Sequence, residues 1–181
     1  MTLRDTISFP TRYLKPGEIH LTDKPAIITT VLGSCISVTM YDKHTRLAAI
    51  CHAVLPTENT TGKRNHKKHD IFQYVDSSLE WMLEQFEKKG MKRRDIEVKM
   101  FGGAEMFAQT RPGKISIAVG KKNIETALRI IEENHLKLAA WNIGGNRGRK
   151  VIFNTTTGEV FAKFVSKTDI PVLKIDNETN P

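Results

Sequence analysis

Three apolar, β-branched runs follow one another in the first third of the chain with no helical pattern between them. They span residues 26–32, 35–40 and 47–55, and only a Gly-Ser pair and a short polar stretch separate them. Runs of this length and composition are typical of buried strands. Strands joined by such short connections pair antiparallel, because a parallel crossover needs a dozen or more residues. The chain is therefore expected to fold around a sheet with an antiparallel start.

Two amphipathic helices are predicted further along the chain. The first has Asp70 as its N-cap and ends near Gly90, and the second has Asn123 as its N-cap. The apolar residues of these helices recur at three- and four-residue steps and mark their inner faces: Ile71, Val75, Leu79, Met82, Leu83 and Phe86 in the first, and Ile124, Ala127, Leu128 and Ile131 in the second.

Further strands are predicted between and after these helices. They span residues 97–101, 114–119 and 137–143, and residues 151–154 and 159–165 form a hairpin. Two helices are too few to cover both faces of a doubly wound sheet. The predicted fold class is therefore α/β (mixed α+β), with mostly antiparallel strands and two main helices.

The charge balance favours acidic partners. The chain of 181 residues has 28 basic and 20 acidic side chains, a net charge of +8 and a pI near 9.5. The basic residues cluster at 63–68, 88–94 and 147–150. A solvated surface is the more ordinary explanation of each cluster taken alone, and no aromatic residues interleave with the charge, so no nucleic-acid partner is predicted.

The hydropathy pattern predicts a cytoplasmic protein without membrane insertion. No stretch of about 18 apolar residues occurs, and the first twelve residues lack the apolar core of a signal peptide. The two cysteines, Cys35 and Cys51, are then expected to be free thiols.

A thiol and an imidazole form the first candidate site. If residues 35–40 and 47–52 form a hairpin centred on Lys43 and His44, Cys35 faces His52 across the ladder. Directly opposed Cβ atoms lie roughly 4.5–5.5 Å apart, which lets an imidazole nitrogen reach a thiol. Such a pair is the minimal unit of cysteine catalysis. The alternative is that both residues only fill the core.

The neighbours of this pair could complete an active site. Gly33 and Ser34 precede the thiol, where backbone N–H groups could form an oxyanion hole. A third group should orient the imidazole, and Thr29 is better placed for this than Asp42, which lies in the presumed turn. Cys51 is expected on the opposite face from His52, as a core residue.

Metal and phosphate sites are weaker alternatives. The cysteines, His52, His66 and His69 offer suitable ligand types, yet no Cys-x-x-Cys motif is present, so neither a metal nor a cofactor is predicted. The glycine pairs at 102–103 and 144–145 lack the spacing of nucleotide-binding loops and are predicted to be turns.

Several motifs together resemble the chemoreceptor glutamine deamidase family CheD. The resemblance covers roughly residues 17–165, leaving an N-terminal arm (1–16) and a C-terminal tail (166–181) outside it. The motifs are Thr-Thr-Val-Leu-Gly-Ser-Cys (29–35), Ala-Ile-Cys-His-Ala-Val-Leu-Pro (49–56), Phe-Gly-Gly-Ala-Glu-Met-Phe (101–107), Gly-Lys-Lys-Asn (120–123), Gly-Gly-Asn-Arg-Gly-Arg (144–149) and residues 154–158.

The resemblance implies a layered α/β sandwich similar to toxin-type deamidases, and an enzyme that converts particular chemoreceptor glutamines to glutamate. It implies Cys35 as the nucleophile, His52 as the general base and Thr29 as the imidazole-orienting residue. The implied substrate is the cytoplasmic region of chemoreceptors, and the phosphatase CheC is a partner in many such systems. The alternative is a binding module that regulates adaptation by engaging a receptor or CheC.

Overall fold

The computed structural model describes residues 9–57, 71–105 and 118–165. Within these ranges lie nine strands, two α-helices and two short 3₁₀ turns (Ile71–Gln73 and Arg93–Asp95). The strands and helices are β1 (Thr11–Tyr13), β2 (Ile19–Thr22), β3 (Ile27–Leu32), β4 (Ile36–Asp42), β5 (Ala48–Cys51), α1 (Val75–Lys88), β6 (Ile96–Gly102), α2 (Val119–Glu133), β7 (Lys137–Ile143), β8 (Arg149–Asn154) and β9 (Val160–Phe164).

The strands form two sheets. The five-stranded sheet has the order β2-β5-β4-β6-β7, and the four-stranded sheet has the order β1-β3-β8-β9. The pairs β1–β3 and β6–β7 are parallel, and the other five pairs are antiparallel. The predicted layered α/β sandwich with mostly antiparallel strands is therefore confirmed.

The five-stranded sheet is the middle layer of the sandwich. All seven residues of β4 are buried, because both faces of this strand are covered. On one face Ile36, Val38 and Met40 join a core cluster with residues of both helices. On the other face Tyr41 packs with residues of the four-stranded sheet such as Ile28. The layers are thus helices, five-stranded sheet and four-stranded sheet.

The helices pack through most of the apolar residues that their sequence spacing predicts for the inner faces. In α1 the residues Val75, Leu79, Met82, Leu83 and Phe86 are buried. In α2 the buried set includes Ala127, Ile130 and Ile131, whereas Leu128 is 39% exposed. The prediction that Asn123 is an N-cap is wrong: α2 begins four residues earlier, at Val119, and Asn123 lies inside the helix and is fully buried. The prediction of a strand over 114–119 is therefore wrong at Val119, which is the first residue of α2. The first four residues of that predicted strand lie outside the described ranges.

The first β-hairpin has a different register from the one the sequence suggests. Met40 pairs with Ala49, and Ile36 pairs with Ala53, so partner numbers sum to 89 instead of 87. The reason is the turn that follows Asp42: its carboxylate accepts hydrogen bonds from Thr45, and Arg46 has a φ of 60°. This four-residue turn shifts every cross-strand pair by two positions.

Part of the predicted N-terminal arm belongs to the sandwich. Strand β1 pairs with β3 from Thr11 to Tyr13, and Leu14 is fully buried in the cluster between the sheets. The Asp70 cap, the basic loop 57–69 beyond Thr57, and the tail from residue 166 lie outside the described residues.

Candidate functional site

Cys35 lies in the turn that leads from the four-stranded sheet into the five-stranded sheet. The preceding residue pair, Gly33-Ser34, bends the chain between β3 and β4. The Cys35 side chain is partly buried and packs against the cluster of Leu32, Phe101 and Val151, which lies between the two sheets.

Hydrogen bonds fix all three carbonyl groups of this turn. The Gly33 carbonyl accepts from the backbone N–H of Ala104 (2.8 Å), and the Cys35 carbonyl accepts from the backbone N–H of Gly103 (2.8 Å). The Ser34 carbonyl accepts from the side-chain amide of Asn123 (3.0 Å). The turn around the thiol is therefore held rigidly from outside, although loops of this kind are usually mobile.

The Gly-Gly pair that follows β6 allows this close approach. Gly102 has a φ of 104°, and a Cβ at this position would collide with the carbonyl oxygen of Cys35. The next residue, Gly103, lies against Gly120 of α2. A Cβ on Gly120 would come within 2.6 Å of the Gly103 carbonyl oxygen. Glycine at these positions brings the sheet, the thiol turn and the start of α2 together.

His52 follows directly on β5 and is 2% exposed. Its Nδ1 atom lies 2.7 Å from the hydroxyl of Thr30, which is fully buried in β3. The Thr30 hydroxyl donates its own proton to the Leu14 carbonyl (2.9 Å). Since a hydroxyl has a single proton, the Thr30 oxygen accepts from Nδ1–H. This arrangement selects the tautomer in which Nε2 carries a lone pair.

The backbone of His52 is fixed by the N-terminal segment. Its N–H donates to the Glu18 carbonyl (3.0 Å), and its carbonyl accepts from the Gly17 N–H (2.8 Å). Burial lowers the pKa of His52 from 6.5 to about 4, opposed by the Leu14 carbonyl and the Glu18 charge, which favour the protonated ring. At neutral pH the imidazole is therefore an uncharged base whose orientation is fixed.

Cys35 and His52 lie on the same face of the five-stranded sheet, diagonally across the ladder. Ile36 and Ala53 form a bridge and both point to the helix side. Because side chains alternate along a strand, Cys35 and His52 point to the other side, between the sheets. Diagonal neighbours are within reach of long side chains. The predicted direct opposition of Cys35 and His52 is wrong by two residues, yet the shared face remains because the shift is even.

Two buried polar atoms on this face have no hydrogen-bond partner among the described residues: His52 Nε2 and Ser37 Oγ. By the register of the ladder, Ser37 lies directly opposite His52. Buried polar groups are nearly always paired, so an unpaired imidazole nitrogen needs an explanation. A nitrogen that must accept a proton during a reaction provides one.

The thiol itself is protonated at rest. Burial raises the pKa of Cys35, and its own backbone N–H opposes that shift by stabilising the thiolate. With a raised pKa for the thiol and a lowered pKa for the imidazole, burial favours the uncharged form of both groups on this face. Such a pair can react when the imidazole accepts the thiol proton as the sulfur attacks.

Thr29 lies elsewhere. In β3 the residues Ile28, Thr30 and Leu32 are buried, whereas Thr29 alternates with them and is partly exposed. Its cross-strand neighbours are Tyr13 and Ile152, so it sits on the outer face of the four-stranded sheet. The structure thus brings Thr30, not Thr29, to the imidazole of His52. The sequence of β3, Ile-Ile-Thr-Thr-Val-Leu, is equally apolar on both faces, so it contains no signal that distinguishes the two threonines.

The other formal candidates lie outside this site. Asp42 accepts from Thr45 in the β4–β5 turn. Cys51 is fully buried in the helix-side cluster, where burial raises its pKa to about 11. It therefore occupies the core position predicted for it, on the opposite face from His52.

Asn123 is a residue that sequence reasoning assigned to another role. Its side-chain nitrogen donates to the carbonyls of Ser34 and Val54, both at 3.0 Å. These carbonyls belong to the segments that carry Cys35 and His52. The signal was an asparagine within the buried stripe of α2, four residues before Ala127.

The basic clusters are only partly available to a partner. In the second cluster Lys88 pairs with Glu84 (2.8 Å) and Arg93 with Glu87 (2.6 Å). In the third cluster Arg149 is buried and donates to the Gly144 carbonyl (2.6 Å), where it stabilises the glycine turns. The first cluster lies outside the described residues.

Neither a metal cluster nor a spanning helix is found in the described ranges. No group of three or more His, Cys, Asp or Glu side chains in them could hold a metal ion, and His66 and His69 lie outside them. In the same part of the chain, neither helix has the length and hydropathy needed to cross a bilayer. The predicted glycine turns meet each other, since Gly144 N–H donates to the Gly102 carbonyl (2.9 Å).

Comparison with known proteins identifies the chain's relatives. The model of the family described as "CheD chemotactic sensory transduction" matches residues 54–164. A Geobacter sulfurreducens protein named probable chemoreceptor glutamine deamidase CheD 2 is 48% identical over 162 residues, covering 88% of this chain and 93% of that protein. Probable CheD deamidases from Maridesulfovibrio salexigens (36% identical; 86% and 92% covered) and Thermococcus kodakarensis (36%; 83% and 90%) also match.

These matches define a protein of chemotactic sensory transduction built as an α/β sandwich. The chain belongs to the CheD family. The family model starts at residue 54, so it includes neither Cys35 nor His52. The assignment of these two residues therefore depends on the geometry described above.

Proposed function

We propose that the chain is a protein-glutamine deamidase that converts glutamine side chains of chemoreceptor cytoplasmic regions to glutamate. The names of its relatives state this activity for those proteins. One observation within this chain supports it most: the Thr30–His52 hydrogen bond leaves Nε2 without a partner on the face that Cys35 shares. The proposal places the protein in the cytoplasm, where these receptor regions lie.

The proposed reaction begins at the Cys35 thiol. His52 Nε2 takes the thiol proton as the sulfur attacks the carboxamide carbon of the glutamine, which forms a C–S bond and a tetrahedral intermediate. Donation from Nδ1–H to Thr30 stabilises the imidazolium that forms. The intermediate collapses with cleavage of the C–N bond, and ammonia leaves with the proton from His52.

Water completes the cycle. His52 takes a proton from water as the oxygen attacks the thioester carbon, and the thiol leaves with that proton. The net reaction consumes one water, releases one ammonia and converts the amide to a carboxylic acid. The Cys35 N–H, which already lies near its own sulfur, and the Ser34 N–H are the proposed donors to the oxyanion, with Gly33 allowing the substrate close approach.

Thr30 takes the role in this proposal that the resemblance implies for Thr29. The supporting contact is the 2.7 Å hydrogen bond from the imidazole to Thr30. Thr29 is one residue away, yet its position on the outer face of the sheet separates it from His52.

Mass spectrometry of a receptor fragment tests the proposal. Each deamidation replaces NH₂ with OH, a gain of about one mass unit that follows from acyl transfer to water. The wild type should produce this gain, and peptide mapping should locate it at glutamine. Cys35→Ala and His52→Ala should each abolish it, whereas Cys51→Ala should preserve it as the matched control. Equal activity of wild type and Cys35→Ala would disprove the proposed nucleophile.

The regulatory alternative gives a different result in the same material. A module that acts only by engaging a receptor or a CheC-type phosphatase would leave the fragment mass unchanged with every variant. It would also keep its effect on signalling when Cys35 is replaced by alanine. Pull-down of receptor fragment and CheC with Cys35→Ala then measures the binding function separately from catalysis.

A further inference from the structure

Asn123 joins the two segments that carry the proposed catalytic residues. One hydrogen of its side-chain amide goes to the carbonyl of Ser34, which directly precedes Cys35. The other goes to the carbonyl of Val54, two residues after His52. Among the described residues, the remaining direct link between these segments is the Ile36–Ala53 backbone pair (3.0 and 2.9 Å).

We propose that Asn123 is a positioning residue that sets the distance and orientation between Cys35 and His52. This inference rests on the proposed function, since it assigns Asn123 a task in the same thiol–imidazole chemistry. Asn123 itself is fully buried and bonds only to backbone, so it acts through the two segments and not on the substrate.

The chemistry of the side chain fits this task. An amide NH₂ group carries two hydrogens in a fixed plane, so one atom can serve two carbonyl acceptors without a net charge. A shorter hydroxyl has one proton and could serve only one of them. Replacing the amide by an apolar group would leave two carbonyls unsatisfied in the interior, which is costly.

The Oδ1 atom of Asn123 points to a specific role of this residue. This atom is buried, and no described group donates to it. A residue that only filled space in the helix stripe would be apolar, like Ala127 and Ile131 on the same face. An amide at this position leaves its oxygen buried and unpaired, and the loss of hydration costs free energy. This cost is explained if the amide is needed to hold the two carbonyls in position.

Helix α2 provides a rigid base for this contact. The backbone of the helix at Gly120 lies against Gly103, whose N–H holds the Cys35 carbonyl. The thiol turn is therefore fixed to the helix and to the end of β6 at three consecutive carbonyls. Without Asn123, the Ser34 carbonyl (the central one of the three) and the Val54 carbonyl would lose the amide that they share. Small displacements of reacting groups lower rates strongly, on the order of 100-fold for about 1 Å.

The experiment compares Asn123→Ala and Asn123→Asp with Asn134→Ala. Asp keeps the shape of Asn but replaces the donor nitrogen by an oxygen that repels the two carbonyls. Asn134 is the matched control, because its amide also donates to a carbonyl of α2 (Ile130, 2.8 Å) but at the far end of the helix. Circular dichroism and urea unfolding establish that each variant is folded before its activity is measured.

The first readout is the deamidation of a receptor fragment. We expect both Asn123 variants to lower kcat by about 100-fold, the size expected for misplaced reacting groups. KM should change little, because Asn123 does not contact the substrate. Asn134→Ala should keep the wild-type kcat. An unchanged kcat in folded Asn123→Ala and Asn123→Asp would overturn the proposal.

The second readout does not depend on deamidation. In a Cys51→Ala background Cys35 is the single thiol, and its alkylation rate by iodoacetamide can be measured with and without His52→Ala. The ratio of the two rates measures the coupling of thiol and imidazole. We expect a ratio different from one with Asn123 present and close to one in Asn123→Ala.

The two readouts separate the possible failures. If the wild type does not deamidate the fragment, the proposed function is wrong, while loss of the coupling in Asn123→Ala still supports the positioning role. If the wild type is active and the coupling is the same in both backgrounds, the positioning role is wrong and the function stands. Failure of both Asn123 variants to fold would assign the residue to the fold and overturn the proposal.

Discussion

The two faces of the five-stranded sheet use the same strands for opposite purposes. Toward the helices, β4 and β5 contribute the apolar side chains of Ile36, Val38, Met40, Ala49 and Cys51 to the core cluster. Toward the second sheet, the same region buries Ser37, Thr39 and His52, two of which have polar atoms without a described partner. Residues one position apart, such as Cys51 and His52, therefore differ completely in their surroundings.

This difference shows how one fold keeps both stability and reactivity. The helix side gains free energy from burial of apolar surface, and Cys51 belongs to this cluster as a fully buried thiol whose pKa is raised to about 11. The side between the sheets buries polar groups whose desolvation costs free energy, next to an apolar cluster that includes Ile28 and Ile50. Because the face alternates with each residue, a change at one side can be compared directly with a change at the other.

The largest effect is expected from a loss of packing on the helix side. Phe86 of α1 is fully buried in the helix-side cluster, and Phe86→Ala should lower the free energy of unfolding by about 3–5 kcal/mol. Urea unfolding measures this. The kcat of the folded fraction should be unchanged, because Phe86 does not belong to the cluster against which Cys35 packs.

Phe161→Ala is the matched control for this packing experiment. Phe161 is 64% exposed on the four-stranded sheet, so its loss should change stability by only about 0.5 kcal/mol. A drop in kcat for Phe86→Ala that exceeds its unfolded fraction would show that the helix side and the reactive side are not independent.

The next effect is the pH dependence of stability that His52 causes. Burial lowers its pKa from 6.5 in the unfolded chain to about 4, so the unfolded state binds the proton more tightly. The stability is therefore lost as pH falls below 6.5, and the loss levels off below about 4. The difference amounts to about 3 kcal/mol.

Urea unfolding of wild type and His52→Gln between pH 7.5 and pH 3.5 measures this contribution. The variant should lose about 3 kcal/mol less than the wild type over that range. His44→Gln, which changes an exposed histidine in the β4–β5 turn, should follow the wild type. Parallel curves for wild type and His52→Gln would contradict the lowered pKa.

The smallest effect is expected from the neighbouring threonines of β3. Thr30→Val removes the hydroxyl that orients His52 and should lower kcat about 10- to 100-fold, part of the contribution of a positioned base. Thr29→Val makes the same chemical change on the outer face and should keep the wild-type kcat. Steady-state deamidation of a receptor fragment measures both. The opposite result would move the orienting role to Thr29.

Local sequence patterns predicted the elements well. Strand β7 has the predicted bounds, 137–143, and β3 and the α1 stripe differ from their predictions by little. Alternation and helical periodicity depend on neighbours within a few residues, so they can be read from the chain directly. The layered arrangement was implied by the family resemblance, whereas the small number of helices only excluded a doubly wound sheet.

The predictions that the structure corrects concern details that the apolar pattern of the sequence does not determine. The register of the first hairpin is set by the Asp42–Thr45 turn, and a two-residue shift leaves the apolar pattern equally satisfied. The choice between Thr29 and Thr30 depends on which face of β3 the other sheet covers. Asn123 has the properties of a cap in sequence, and only the carbonyls of Ser34 and Val54 show its actual partners.

The position of β3 between β1 and β8 has a consequence for protein synthesis. The strand that carries Thr30 is paired on one side with residues 11–13 and on the other with residues 149–154. Ribosomes make the N-terminal part first, at about 5–20 residues per second. The nascent chain therefore contains Cys35 and His52 many seconds before β8 and α2 can surround them. The Ser34 carbonyl next to the thiol acquires its partner Asn123, and β3 acquires its partner β8, only when the last third of the chain has been made.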